Sequence, residues 1–311
     1  MIVVPDDFPV VLGSSAAYQG FRTRHDVKYF DTLPGSEAAL LERIGGAPIV
    51  INVRSSTRFP ASVFAACPAM KQLSIWGTGT DNVDLEAARR HGVCVTNTPG
   101  VAAFSIAEHC LAMMLLLARK IPQLDGSVRA GQWQKGQMLQ MAGKTLGIIG
   151  LGAIGSQFGR LGAAIGMRVI AWTMNPGPDR GFEQVPLEML LRDSDVVSLH
   201  LRLSEKTNKL IGAPQLALMK PSAIFINTAR GAIVDEAALV DALAARRIAA
   251  AGLDVFEVEP LPPGHALTQL DNVVLTPHCS GVTPETLEAG LAMSLDNVEA
   301  FLRGAPEHVV V

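Results

Sequence analysis

The chain has 311 residues, 49% hydrophobic and only 5% aromatic, with a formal net charge of −3. That length suggests about two domains, and a composition rich in Ala, Gly, Val and Leu suits helices packed on a parallel sheet better than a β-sandwich. The slightly acidic balance speaks against the basic surcharge of a nucleic-acid-binding protein.

The opening Met1-Ile-Val-Val-Pro-Asp-Asp has no basic region followed by an apolar core, so no signal peptide is expected. The four cysteines, Cys67, Cys94, Cys110 and Cys279, form no CxxC pair. They are expected to be reduced thiols of a soluble cytoplasmic protein, and no metal site is assigned.

Short β-rich runs alternate with helical patterns from Ile49 onward. Ile49–Val53 reads as a strand, Ala61–Cys67 as a short helix, Lys71–Ile75 as a strand, Leu85–His91 as a helix and Val93–Thr96 as a strand. Ser105–Arg119 is a long helix. Its apolar stretch Leu111–Ala118 falls far short of the roughly 20 residues of a membrane span, so no membrane partner is expected.

A second series follows. Thr145–Ile149 is a strand, Ile154–Ile165 a helix and Arg168–Trp172 a strand. Leu187–Leu191 is a short helix and Asp195–Leu199 a strand. Ala223–Asn227, Ala250–Asp254 and Val273–Thr276 continue the sheet, with a helix at Glu236–Ala245 and a last helix from Pro284 to Leu302. Two such series predict two α/β domains with doubly wound parallel sheets. Pro99-Gly100 and Ser280-Gly281 are the expected hinge points.

Gly150-Leu-Gly152-Ala153-Ile154-Gly155 matches GxGxxG, directly after the strand ending at Ile149 and opening a helix. In that setting the first glycine permits a tight turn, the second lets a pyrophosphate approach the backbone, and the third lets helix and strand pack closely. The helix N-terminus then faces the phosphates with unpaired N–H groups and a positive dipole end. About 20 residues on, a carboxylate commonly holds the adenosine ribose. Here Thr173 stands there, followed by Met174 and Asn175. The missing carboxylate removes a charge that would repel a 2′-phosphate. Arg180 and Arg202 either pair with such a phosphate or are solvated surface residues. NAD or NADP is expected, with a slight lean to NAD.

Three ionisable residues sit at or just past the ends of apolar strands: Arg230, Glu259 and His278. In open α/β sheets ligands bind at the carboxyl ends of strands. Reducing a 2-keto acid needs a hydride on the carbonyl carbon and a proton on its oxygen. A histidine supplies and reclaims that proton, a carboxylate beside it stabilises the imidazolium, and a guanidinium grips the substrate carboxylate. His278 is therefore the expected acid/base, Glu259 its partner and Arg230 the substrate clamp.

At these residues the sequence resembles the D-isomer-specific 2-hydroxyacid dehydrogenase family. Gly77–Asp84, Thr96–Gly100 and Ala107–His109 resemble its N-terminal signatures. Asn227–Asp235, Gly252–Pro260 and Thr276–His278 resemble its catalytic segments. The resemblance implies a Rossmann cofactor domain, residues 99–282, inserted in a flavodoxin-like substrate domain, residues 1–98 plus 283–311. It also implies a homodimer joined through the cofactor domains and a cleft that closes on binding. Carried over by position, Arg54, Ser55 and the backbone of Thr78 and Gly79 face the substrate with Arg230 and His278. Leu201, Arg202, Thr228, Ala229, Asp254, Ser280 and Gly281 join the loop residues on the cofactor side. Trp76 either lines the substrate side or belongs to the core.

The chain departs from the family at Thr173, where Asp is usual, and at Arg202, where Pro is usual; both lie on the adenosine side. Arg54-Ser55 resembles the phosphoglycerate and glyoxylate/hydroxypyruvate branches. The short tail leaves no room for a C-terminal regulatory domain, so a glyoxylate or hydroxypyruvate reductase is the expected type. The alternatives are a dinucleotide-sensing corepressor-like regulator, which shares the fold, and a formate- or phosphite-type dehydrogenase on the same scaffold.

Overall fold

The computed structural model describes residues 1–8, 10–53, 57–177 and 181–311. The chain divides into two compact units, Met1–Ala102 with Val282–Val311, and Ala103–Gly281.

The first stretch forms β1 (Ile2–Val4), α1 (Ala16–Arg22), β2 (Val27–Tyr29), α2 (Glu37–Ile44), β3 (Ile49–Val53), α3 (Ala61–Ala66), β4 (Gln72–Trp76), α4 (Leu85–Arg90) and β5 (Cys94–Thr96). The second unit holds α5 (Ala103–Ala118), α6 (Ile121–Arg129), β6 (Thr145–Ile149), α7 (Ala153–Ala164), β7 (Arg168–Trp172), β8 (Glu183–Gln184), α8 (Leu187–Asp193) and β9 (Val196–Leu199). It continues through α9 (Ala213–Leu216), β10 (Ile224–Asn227), α10 (Glu236–Ala244), β11 (Ala250–Leu253) and β12 (Val273–Leu275). The last helix, α11 (Pro284–Leu302), returns to the first unit.

Both sheets are parallel throughout. The first has the order β2-β1-β3-β4-β5, which is the flavodoxin-like arrangement. The second runs β12-β11-β10-β9-β6-β7-β8. Counted from β6, that is the Rossmann order extended by one strand. Strand order reverses between β6 and β9, so the crevice that such sheets use for ligands opens above the ends of these two strands.

Burial follows from two-sided covering. β3, β4, β6 and β9 are buried along nearly their whole length, as expected of strands with helices on both faces. α11 joins the first unit through buried polar contacts as well as apolar ones. The Ser74 hydroxyl sits 2.9 Å from the Ser294 carbonyl, and Gln72 Nε2 donates to the Asn297 carbonyl at 3.1 Å. Gly290 of α11 lies against the Trp76 ring so closely that a Cβ would collide with the indole. Trp76 is thus a core residue of the first unit, packed with Ile51, Val53, Leu291 and Leu295. Among the described residues no helix is long and apolar enough to cross a membrane.

Candidate functional site

The nucleotide loop is built on close backbone packing. Gly150 has φ +103, a region that L side chains rarely adopt, and its N–H donates to the Trp172 carbonyl at 2.8 Å. A Cβ at Gly150 would lie 2.6 Å from the His200 carbonyl oxygen, and one at Gly155 would run into the Gly150 carbonyl. These two glycines let β6, β9 and α7 meet. Gly152 differs: nothing lies within 4 Å of its Cβ position. Its open side adjoins the first turn of α7, where the N–H groups of Ala153, Ile154 and Gly155 have no intrahelical partner. An open glycine before a free helix N-terminus fits a dinucleotide pyrophosphate.

The neighbouring strand ends supply the rim. Leu201 follows β9 and lies against Gly150. Arg202 is exposed, and its carbonyl accepts from the Thr207 hydroxyl at 2.7 Å. Thr173, past β7, is half-buried, and Asn175 is exposed. Arg180 lies outside the described residues.

The catalytic candidates come from three adjoining strands of the same unit. β10 leads to Arg230, β11 to Glu259 and β12 to His278. His278 Nδ1 and Glu259 Oε2 are 2.7 Å apart, and both side chains are partly open to solvent. Glu259 Oε1 accepts the Phe256 N–H at 3.0 Å. Burial works to raise the Glu259 carboxyl, but the His278 hydrogen bond, the Phe256 amide and the charges of His278 and Arg230 outweigh it and hold it below its ordinary value. The stabilisation from this group is therefore present at neutral pH and lost as acid protonates Glu259.

The turn carrying Arg230 is pinned by Asn227, a residue not predicted for the site. The buried Asn227 side chain accepts the Ala229 N–H at 3.0 Å and donates to the Arg230 carbonyl at 3.0 Å. Gly231 then packs directly on the backbone of Phe256 and Glu257, where a Cβ has no room. A polar residue at the buried end of an apolar strand and a glycine after a candidate arginine are the signals that could have found them.

Other expected cofactor-side residues are spoken for within the chain. The buried Thr228 hydroxyl is 3.3 Å from Cys110 Sγ. Burial pushes the Cys110 thiol up to about 12, so it is no nucleophile. Asp254 is fully buried, and its carboxylate accepts the N–H groups of Cys279 and Ser280, each at 2.9 Å. Ala229 and Gly281 are half-buried beside these segments.

Thr78 and Gly79 belong to the first unit, in the loop after β4. The Thr78 hydroxyl donates to the Thr98 carbonyl at 3.0 Å, and its own carbonyl accepts from Asn97 Nδ2 at 2.8 Å. Arg54 and Ser55 lie outside the described residues. Just before them, Asn52 and Val53 meet the fully buried Asp6, which accepts the Val53 N–H at 2.9 Å and Asn52 Nδ2 at 2.5 Å. Burial pushes its carboxyl up to about 6. An acid that binds its proton more tightly when folded contributes stability that falls as pH rises from about 4 to about 6 and is flat above. The shift amounts to roughly 3 kcal/mol. Asp6→Asn should abolish this slope, so the Tm gap between variant and wild type changes across that window. A gap that stays constant from pH 4 to 7 contradicts the assignment.

The family description "D-isomer specific 2-hydroxyacid dehydrogenase, NAD binding domain" matches residues 111–280. The chain is 39% identical over 318 residues to a glyoxylate reductase of Aeropyrum pernix, covering 98% of this chain and 93% of that one. It is 41% identical over 259 residues to a hydroxypyruvate reductase of Thermotoga maritima, covering 82% and 84%. Among solved structures, an acyclic imino acid reductase in complex with NADPH and D-Arg superposes with a TM-score of 0.93 at 28% identity, covering 100% of both chains.

Proposed function

The chain belongs to the D-isomer specific 2-hydroxyacid dehydrogenase family, and within it we propose a reductase of glyoxylate and hydroxypyruvate that uses either NADH or NADPH. It is an oxidoreductase that moves a hydride between a nicotinamide cofactor and a small 2-keto or D-2-hydroxy acid.

The observation that carries the site assignment is the 2.7 Å contact between His278 Nδ1 and Glu259 Oε2. With Nδ1 taken by the carboxylate, Nε2 is the nitrogen left to face a substrate. His278 then gives its Nε2 proton to the keto oxygen and reclaims it in the reverse direction. Glu259 fixes the tautomer and stabilises the imidazolium. Arg230 grips the substrate carboxylate and polarises the carbonyl. The Gly150–Gly155 loop would hold the nicotinamide dinucleotide, which would supply or accept the hydride when bound.

The proposed substrates rest on the relatives named glyoxylate and hydroxypyruvate reductase. Dual cofactor use rests on Thr173, where no carboxylate opposes a 2′-phosphate, and on exposed Arg202. The test is kcat/KM for a series of 2-keto acids with each cofactor. Glyoxylate and hydroxypyruvate should lead the series, and NADH and NADPH should differ by less than about 100-fold. A best substrate with a bulky side chain, or a larger cofactor preference, refutes the corresponding half.

The proposed assembly is a homodimer formed through the cofactor-binding unit. α6 buries no side chain of its own, Ile121 and Val128 are exposed, and Trp133 is 81% exposed. Apolar surface of that kind calls for a partner. Sedimentation equilibrium should return twice the chain mass, and Trp133→Glu should weaken the dimer; a monomeric wild type refutes it.

A further inference from the structure

His109 lies in α5, away from the catalytic candidates in sequence, yet it meets the segment that carries His278. Its Nε2 is 3.1 Å from the Thr276 hydroxyl and 4.0 Å from Asp254 Oδ1. The Thr276 hydroxyl is in turn 2.5 Å from Asp254 Oδ1. A hydroxyl has one proton, and Thr276 gives it to Asp254 Oδ1, the oxygen that also accepts the Cys279 N–H. Toward His109 the same oxygen is an acceptor, which makes Nε2 of His109 the donor. The order of the chain is thus His109 to Thr276 to Asp254.

Asp254 is the staple of the His278 segment. Its two carboxylate oxygens hold the amides of Cys279 and Ser280, and its main-chain carbonyl accepts the His278 N–H at 2.8 Å. His278 itself has φ +51, a left-handed conformation that a residue with a side chain keeps only where its surroundings enforce it. Asp254 enforces it from both sides, and the His109 N–H accepted by the Thr276 oxygen fixes and polarises the hydroxyl that donates to Asp254. Without the His109 donor that bond weakens and the Thr276 side chain is held at one point fewer, which loosens the segment carrying His278.

From this geometry we infer that His109 is a positioning residue for the acid/base His278, acting through Thr276 and Asp254; this rests on the proposed role of His278. Three variants test it: His109→Phe, which removes the donor; His109→Gln, which restores an N–H near the Nε2 position; and Thr276→Val, which removes the hydroxyl. For a 2-keto acid substrate, His109→Phe and Thr276→Val should each lower kcat by roughly 10-fold or more while KM stays within about twofold, since small displacements of a catalytic group act on the chemical step. His109→Gln should recover most of the loss. The double variant His109→Phe/Thr276→Val should be no worse than either single one. Unchanged kcat in His109→Phe, an equal loss in His109→Gln, or additive losses in the double variant overturn the inference. Hydrogen exchange of the Thr276–Ser280 amides reads positioning without turnover: it should quicken in His109→Phe and Thr276→Val and return towards the wild-type rate in His109→Gln. Unchanged exchange overturns the positioning role, whereas a wild type inactive on every 2-keto acid overturns the functional reading and leaves the exchange result to decide the positioning.

Discussion

His278→Ala should leave nicotinamide binding close to wild type and lower kcat for 2-keto acid reduction at least about 100-fold, the usual scale of lost acid/base catalysis. The separation follows from where the groups sit. The nucleotide loop rests on the ends of β6, β9 and the start of α7, while His278 follows β12, a strand at the edge of the same sheet. Removing the imidazole takes away the proposed proton donor and leaves Glu259 without its partner 2.7 Å away. Cofactor titration by fluorescence and steady-state kinetics measure the two effects independently. Turnover at the wild-type level removes His278 from the mechanism, and lost cofactor binding would make the defect structural.

Gly231→Ala should be nearly as damaging, although alanine adds a single methyl group. That methyl falls on the carbonyl of Phe256 and the amide of Glu257. Backbone cannot yield as a flexible side chain does, so the Arg230 turn and the Phe256–Glu259 segment must separate. Overpacking of this kind typically costs about 1–3 kcal/mol and sometimes more. The same movement takes Arg230 away from Glu259 and undoes the Phe256 N–H contact at 3.0 Å that orients the carboxylate. A lower Tm together with a fall in kcat/KM of roughly 100-fold is expected. Wild-type kinetics in a folded Gly231→Ala protein would show that the two segments move independently.

The second unit was largely readable because its strands are apolar runs buried on both faces and bounded by turn residues, although α5 and α10 are apolar on most sides and show little period. Gly150–Gly155, Arg230, Glu259 and His278 stand out there because each falls where such a run ends. The outer elements were not readable. β1 and β2 have three residues each and β8 two, too few for any alternation to show. α2 carries readable signals, since the Ser36 hydroxyl accepts the Ala39 N–H and Leu40 and Ile44 lie one turn apart on its buried side, yet it follows the three-residue β2. α6 buries nothing in the single chain, so its pattern reports a surface rather than a core.

Within the site, the long-range polar pins were invisible. Asp254 lies 24 residues before His278 in the sequence and holds main-chain amides, which carry no residue-type signal. Asn227 works in the same way on the Arg230 turn. Trp76 had two readings of equal weight, and the close approach of Gly290 on α11 decides for the core. That contact joins positions 214 residues apart in the sequence, beyond the reach of local pattern.

We propose that this chain reduces small 2-keto acids stereospecifically, with His278, Glu259 and Arg230 acting on the substrate. The most direct measurement is the configuration of the glycerate formed when the wild-type protein reduces hydroxypyruvate. D-glycerate as the sole product is the predicted result. L-glycerate or a racemic mixture would contradict the account.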